Sequence, residues 1–444
     1  MTADVSDLMK KLVSLCKRRG YVFQSGEIYG GLQSSWDYGP LGIELKKNIE
    51  SSWWNFMVTT RPNVVGMDSA IITHPDVWKA SGHLKHFHDP MVDCMKCKNR
   101  FRQDHVDGDS CPECGGSLTE PREFGLMFKT QMGALEDGSE TVYLRPETCQ
   151  SIFVNFRNIV TATRQKLPFG IAQTGKAFRN EITARNFIFR SREFEQMEME
   201  FFCIPEEADH WLEYWLEERL KWYHRLGVNS DNLRIRKHEE SELAHYATSC
   251  FDIEYTFPFA SDGWGELEGI ANRTDYDLKA HIEASGQDLS FPDQLNNTKV
   301  VPTVIETSGG IGRTLLAVLL DAYREEEVEG RERVVLGLHR SLAPIKAAVL
   351  PLSKKLSEGA MEVFETIRPH FPVQFDVTGS IGKRYRRMDE AGTPFCITFD
   401  FDSLEDNSVT IRERDSLGQI RVPVENLVAT MKKLLVEGWP EEEK

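Results

Sequence analysis

The stretch FGIAQTGKAFRNEITARNFIFRSREFEQMEMEFF, Phe169 to Phe202, constrains the fold most, because its second half alternates with a period of two. Side chains at i and i+2 share one face of a strand. Met197, Met199 and Phe201 therefore face one way, and Phe194, Gln196, Glu198 and Glu200 face the other. The first set belongs in a core. The second puts two acids, an amide and an aromatic on one sheet surface, which is costly unless that surface lines a solvated cleft. The preceding run reads as the partner strand of a hairpin. Arg179 and Glu181 join the polar face if that strand stays extended so far. By alternation alone, a hairpin with a solvated, charge-laced outer face is the simpler account.

At 444 residues the chain exceeds one compact core, so two or three domains are expected. Its net charge of -16 argues against a protein that coats nucleic acid non-specifically, though not against one held on a local basic patch. Val5, Leu8, Met9, Leu12 and Leu15 predict an amphipathic helix over Met1 to Tyr21, without the unbroken apolar stretch of a signal peptide. No apolar run has the length to cross a bilayer, so a cytoplasmic protein without membrane contact is expected. Nine cysteines, an odd number with only four clustered, fit that compartment. Cys16, Cys149, Cys203, Cys250 and Cys396 read as buried free thiols.

The clustered four are Cys94, Cys97, Cys111 and Cys114, two Cys-x-x-Cys pairs in DCMKCKNRFRQDHVDGDSCPECGG. Each pair can curl to set two sulfurs about 3.7 Å apart around one ion, which predicts a zinc ribbon. With four protein thiolates the zinc is structural, not catalytic. His83, His86 and His88 just upstream read as ordinary polar or packing residues.

Other segments add to the polar face. Leu41 to Val58 has helical spacing, with Leu45, Ile49, Trp53 and Phe56 on one stripe. Its neighbour Trp54 needs a second surface, either another subunit or a groove of the same chain. A strand over Thr141 to Leu144 leads through Arg145 and Pro146 into a helix whose first turn carries Glu147 and Gln150, where Glu147 need be no more than a helix-start acid. Glu206 to Arg225 reads as a Trp-rich helix. Strands over Cys250 to Pro258 and Gly265 to Ile270 bring further acids, with Glu266 and Glu268 expected on one face. A strand over Val300 to Glu306, a glycine turn TSGGIGR and a helix from Leu315 follow. Arg313 at that helix start opposes the dipole unless an anion is present.

The charged run EEEVEGRER, Glu325 to Arg333, reads as an exposed linker. Beyond it, strands near 334–338, 347–350, 373–377, 395–401 and 409–412 alternate with helices near 357–369 and 382–390, a small α/β domain. Within it, Lys383, Arg384, Arg386 and Arg387 reverse the chain's overall sign, as a nucleic-acid contact or a salt-bridged helix would.

These strings together resemble the class II aminoacyl-tRNA synthetases and, within them, the single-chain homodimeric glycyl-tRNA synthetases. The carriers are DYGPLGIELKKNIESSWW, RPETCQ, FRNEI with FRSREFEQMEMEFF, GELEGIANRTDYDL and ETSGGIGR, with LAPIKAAVLPL and GSIGKRYRRMDEAGTPFCITFDFD for the anticodon-binding domain. The resemblance implies an α+β fold: a six-stranded antiparallel sheet flanked by helices in a catalytic domain over 1–333, a zinc-ribbon-like insertion over 88–125, and an α/β anticodon-binding domain over 334–444. It implies activation of glycine with ATP and Mg²⁺, then transfer to the 3′ end of glycine tRNA by a homodimer. The alternative is a non-catalytic, synthetase-like nucleic-acid-binding protein, which would have no reason to keep Arg179, Glu198, Glu306 and Arg313 together.

The resemblance also assigns residues. Arg179, Arg313 and Glu198 are the catalytic set, with Arg179 on the α-phosphate, Arg313 on the terminal phosphate and Phe194 on adenine. Asn180, Glu181, Phe189, Arg190, Ser191, Arg192, Glu193, Glu266, Leu267, Gly310, Ile311 and Gly312 complete the ATP site. Glycine is given to Glu147, Phe194, Glu195, Gln196, Met197, Glu198, Glu306, Thr307, Ser308, Gly309 and Gly310, with Arg100 reaching the substrate and Arg102 its competitor. The substrate carboxylate is the nucleophile, so no activated Ser, Cys or His is needed and catalysis rests on positioning and charge stabilisation. Thr307 stands where the family usually has proline, from which a slightly looser loop is expected.

Overall fold

The computed structural model describes residues 2–103, 106, 108–133, 141–182, 186–244, 246–293, 298–328 and 330–440. Met1 of the predicted first helix, residues 104, 105 and 107 of the predicted insertion and residue 329 of the predicted linker lie outside the described residues. In chain order, the elements around the site are α1 (Thr2–Arg19), α2 (Pro40–Trp54), β1 (Val64–Gly66), α3 (Cys149–Thr163), β2 (Phe169–Phe178), β3 (Glu193–Cys203), α4 (Ala208–Arg225), β4 (Leu233–Lys237), β5 (Ser249–Tyr255), β6 (Gly265–Thr274), α5 (Tyr276–Ser285), β7 (Thr303–Gly310) and α6 (Ile311–Ala322).

The strands form one twisted sheet in the order β4-β5-β6-β7-β3-β2-β1. Six are antiparallel, as expected; β1 is a seventh, parallel to β2. The β2–β3 hairpin lies inside the sheet, where β3 also pairs with β7. Its alternation is realised: Met197, Met199 and Phe201 are fully buried with Leu45, Ile49 and Trp53 of α2, Trp215 and Trp222 of α4, and Leu315 and Leu319 of α6. Each such side chain contributes about 1.5–3 kcal/mol of burial. Trp54 packs within the same chain: a Cβ on Gly66 of β1 would come 2.3 Å from its ring, so only glycine lets the indole lie there.

The opposite face is not an open cleft along its whole length. At one end α3 and α5 cover it, setting Ile152, Phe153, Phe156 and Leu278 over Phe169, Ile171, Phe202 and Val304. Glu200 and Glu198 lie under that cover, 0% and 2% exposed, and are not solvated as expected. The period of two fixed which side they point to; the helices that bury them come from elsewhere in the chain.

Two predicted connections are absent. β7 runs without a glycine turn to Gly310 and α6 starts at Ile311, so Thr307 sits in mid-strand, fully buried, and not in a loop. The stretch expected as an exposed linker falls in a hairpin pairing Tyr323–Val328 with Arg331–Leu336, and Arg333 is buried against Asp389 at 2.9 Å. Charge density alone cannot distinguish a solvated linker from a ladder of cross-strand pairs.

The C-terminal unit contains β8 (Ala347–Pro351), α7 (Ser357–Ile367), β9 (Val373–Phe375), α8 (Ile381–Glu390), β10 (Phe395–Phe399), β11 (Ser408–Glu413), β12 (Gln419–Pro423) and α9 (Leu427–Glu437), with sheet order β9-β8-β10-β11-β12. β12 and α9 extend beyond the elements expected. The basic cluster on α8 divides. Arg384 is buried and donates to the Pro351 and Asp376 carbonyls, Arg387 pairs with Asp376, and only Lys383 and Arg386 are exposed.

Candidate active site

The open end of the functional face is a cavity of about 240 Å³. Arg179, Glu181, Phe189, Arg190, Ser191, Phe194, Glu266, Leu267, Gly310, Gly312 and Arg313 of the expected nucleotide set line it, as do Glu195, Gln196 and Ser308. β2 ends at Phe178, so Arg179 and Glu181 reach the cavity from the loop beyond it. Arg179 lies between the rings of Phe87 and Phe194, 5.4 Å from each centroid, and its Nε donates to the Pro146 carbonyl at 3.0 Å. Arg313, on the first turn of α6, stacks on Phe189 at 4.4 Å and donates to the Glu266 carbonyl at 3.0 Å. It also pairs with the Glu266 carboxylate at 3.1 Å, and this charge holds Glu266 below the usual carboxylate range. Asn180, Arg192, Glu193 and Ile311 are not among the lining residues. Arg192 instead ties the Glu181 and Gln33 carbonyls together, and Glu193 pairs with Lys176.

Beneath the cavity floor the acids form a network in which Glu198 is buried and Glu147 and Glu306 are partly buried. Glu198 accepts from the Thr148 amide at 3.0 Å, the Thr148 hydroxyl, Gln196 Nε2 at 2.8 Å and Ser308 Oγ at 2.6 Å. Burial and the neighbouring Glu147 nonetheless push its carboxyl up. Glu147 precedes α3, which begins at Cys149, and so is not the expected helix-start acid. Its carboxylate meets His83 Nε2 at 3.3 Å and Cys149 Sγ at 2.9 Å. Burial would raise it, but the charge and hydrogen bond of His83, joined by Arg273, hold it well below the usual range. Of the three histidines read as ordinary polar or packing residues, His83 is thus one that meets an assigned acid. Glu306 accepts from Arg273 Nη1 at 2.9 Å. Burial, opposed by Arg273 and helped by Glu198 and Glu147, pushes it up to about 7.

Several assigned residues lie elsewhere. Met197 and Thr307 alternate onto the helix-packed face and are fully buried, and Gly309 pairs with Met197 there. Glu195 sits between the cavity and Lys46 of α2, which it binds at 2.7 Å. Arg100 is held by Asp93 at 2.6 Å in the insertion's own sheet, and Arg102 by Asp89 at 3.2 Å; neither lines the cavity. Glu266 and Glu268 are not on one face. Leu267 is an extra residue in β6, because Glu254 of β5 opposes Glu266 while Ile253 opposes Glu268. That bulge turns Glu268 into the core, onto Arg219 at 2.5 Å and the Tyr223 hydroxyl at 2.7 Å.

The comparisons with known proteins agree with this architecture. Residues 128–323 match the tRNA synthetase class II core domain (G, H, P, S and T) and residues 346–434 match the anticodon binding domain. Over 437 residues the chain is 53% identical to the glycine–tRNA ligase of Treponema denticola, covering 96% of each chain. The chain belongs to the glycine–tRNA ligase family. Its identity to the Mycolicibacterium vanbaalenii glycine–tRNA ligase is 54%, covering 95% of this chain and 97% of that one. A prolyl-tRNA synthetase from Cryptosporidium parvum shares the fold, with a TM-score of 0.67 at 15% identity over 96% of this chain and 77% of its own. As a glycine–tRNA ligase family member, the chain is an aminoacyl-tRNA synthetase with a class II core and an anticodon-binding domain.

Reading for motifs in this ligase missed the groups that hold the acids in place. Arg273 is the most consequential: 2% exposed, it binds Asp277 at 2.8 and 3.0 Å as well as Glu306, and lies 3.9 Å from the Tyr246 ring centroid. It is a second bulged residue in β6, since Asn272 and Thr274 oppose the consecutive Ile305 and Val304. Its i,i+4 relation to Asp277 was the visible signal. Arg145, read only as a strand end, is 1% exposed and donates to the Lys176 and Ser69 carbonyls; a Cβ on Gly175 would come 2.2 Å from its Nη2. The four clustered sulfurs do converge, all within 4.8 Å, with Cys94 and Cys114 3.5 Å apart and Cys97 and Cys111 3.6 Å apart. The Cys97 amide donates to Cys94 Sγ and, as the main cause, holds that thiol down to about 6, the thiolate form a metal needs. The residues fit a zinc ion.

Proposed function

We propose that the cavity holds MgATP and the buried acids hold glycine, so that the chain catalyses glycine activation and transfer to glycine tRNA. The observation that carries this is the convergence of two arginines and Phe194 over a floor of Ser308 and Glu198. A glycine carboxylate oxygen attacks the α-phosphorus, forming glycyl-adenylate and releasing pyrophosphate. Arg179 meets the charge growing on the α-phosphate and Arg313 that on the departing phosphates. Glu198 and Glu306 receive the ammonium. The hydroxyl of the terminal tRNA ribose then attacks the adenylate carbonyl, giving glycyl-tRNA and AMP. The enclosed acid network excludes a methyl on the α-carbon by overlap, which repels more strongly than a missing contact discriminates. Pyrophosphate exchange should require glycine; equal exchange with alanine, serine or no amino acid would overturn the assignment.

Glu306 makes glycine binding pH-dependent. Its carboxyl in the fold, at about 7, lies above the ordinary 4.5, so the site's charged form destabilises the free protein progressively as pH rises from 4.5 through 7. A bound ammonium offsets that cost. Glycine KM should therefore fall as pH rises toward about 7 and then level, with up to one proton released per glycine below it, measurable by calorimetry in two buffers.

The four cysteines support a structural zinc and the family a cytoplasmic homodimer; the boundary between a catalytic 1–333 and an anticodon-binding 334–444 region, drawn from the sequence, falls inside the strand Arg331–Leu336. Among the described residues no helix is long and apolar enough to cross a membrane. Protein purified without chelator should contain about one zinc per chain, and Cys111→Ser should lose it, by atomic absorption.

A further inference from the structure

Glu200 has no part in the scheme above, yet among the described residues it is a carboxyl buried with both oxygens unpartnered. It lies on β3 two residues from Glu198 and directly opposite Glu306 of β7 in the register. It is 0% exposed, and neither oxygen has a hydrogen-bond partner. A carboxyl oxygen of Glu200, one of Glu306 and Cys149 Sγ lie within 4.8 Å of one another. Two like charges this close in a dry environment cannot both persist, and an ion without hydrogen bonds is the costlier of the two to keep. Glu306 has Arg273 at 2.9 Å; Glu200 has no such partner.

We propose that Glu200 is a positioning residue of the glycine site, a carboxyl that stays protonated so that Glu306 beside it can serve as the anion for the substrate ammonium. This rests on the glycine-site reading given above. The groups facing Glu200 are Glu306 on β7, Arg273 on β6, Glu198 on its own strand, Asp277 on α5 and Cys149 on α3, and the strand β2 presents Ile171. Acids outnumber the single arginine. Burial and Glu306 together push Glu200 well above the usual carboxylate range, in agreement with the geometry. As a neutral acid it fills the space under Glu306 without adding a second negative charge.

The test compares Glu200→Gln, an isosteric neutral amide, with Glu200→Ala. Glu200→Gln should keep glycine KM within about threefold and leave the pH midpoint of KM in place, because no charge is removed. At a pH well above the Glu306 midpoint, the infrared spectrum of the wild-type protein minus that of the variant should retain the C=O stretch of a protonated carboxyl. Glu200→Ala should raise glycine KM about tenfold or more with kcat little changed, as Glu306 loses its support. Were Glu200 ionised instead, Glu200→Gln would remove a charge that raises Glu306 and move the midpoint down by about a pH unit or more. That shift, a missing infrared band, or an unchanged KM in Glu200→Ala would overturn the proposal. Glu306→Gln serves as the separate control: if it leaves glycine KM unchanged, the glycine-site reading itself fails; if it raises KM while the Glu200 results miss, only the role of Glu200 does.

Discussion

Arg179→Ala is expected to lower glycine-dependent pyrophosphate exchange by about a thousandfold, the upper range for losing one preorganised donor to a developing anion. Its guanidinium is held rather than stored. The rings of Phe87 and Phe194 flank it, and one nitrogen is anchored on the Pro146 carbonyl. Among the described residues no carboxylate lies within ion-pair distance of it. A cation set in place without a carboxylate partner is ready for a phosphate and incurs little reorganisation as charge develops on it. Removing it leaves no buried acid unpaired, so the fold should survive. Single-turnover exchange together with thermal unfolding checks both halves. A rate within tenfold of wild type would mean that the α-phosphate lies elsewhere, and loss of the fold would make Arg179 structural.

Glu268→Ala should destabilise the protein by about 3–5 kcal/mol, the typical cost of breaking a buried pair from one side. Arg219 is 0% exposed, binds both Glu268 oxygens at 2.5 and 3.0 Å, and stacks 4.4 Å from the Trp222 ring centroid. Its Nη1 already has no partner, and the variant would leave the whole cation in the core along with the Tyr223 hydroxyl. The double variant Arg219→Leu with Glu268→Leu should recover most of the loss, because apolar replacement of both partners removes the unpaired charge. Urea unfolding of the three proteins measures this. A loss under about 1 kcal/mol would show that water reaches Arg219 once the acid is gone.

Glu268 also marks how far the sequence could be read. Strict alternation along β6 put it in the cleft beside Glu266, and the one-residue bulge at Leu267 sent it to the opposite face, into the core. The bulge at Arg273 likewise aims a cation at Glu306 from a strand whose alternation does not announce it. Where strands were regular, as in β3, facing was legible residue by residue, and Met197, Met199 and Phe201 went where their spacing placed them. Most of the residues expected at the nucleotide were legible as neighbours too, since they come from a few strings that enclose one cavity. The surroundings of the acids were not, because Glu147 and Glu306 are paired with His83 and Arg273 and Glu198 accepts from Thr148, groups distant from them in sequence or hidden by a bulge.

The sequence by itself determined which residue types share a regular strand face, that two cysteine pairs can close on one metal, and which family the chain resembles. These follow from chemistry between neighbours at fixed spacing. Only the tertiary structure decided that the acidic face is half covered, that Glu268 is a core residue, that Arg384 and Arg387 serve the fold, and that Glu200 has no partner. Burial and pairing depend on what packs from far along the chain, and one inserted residue reverses every facing beyond it.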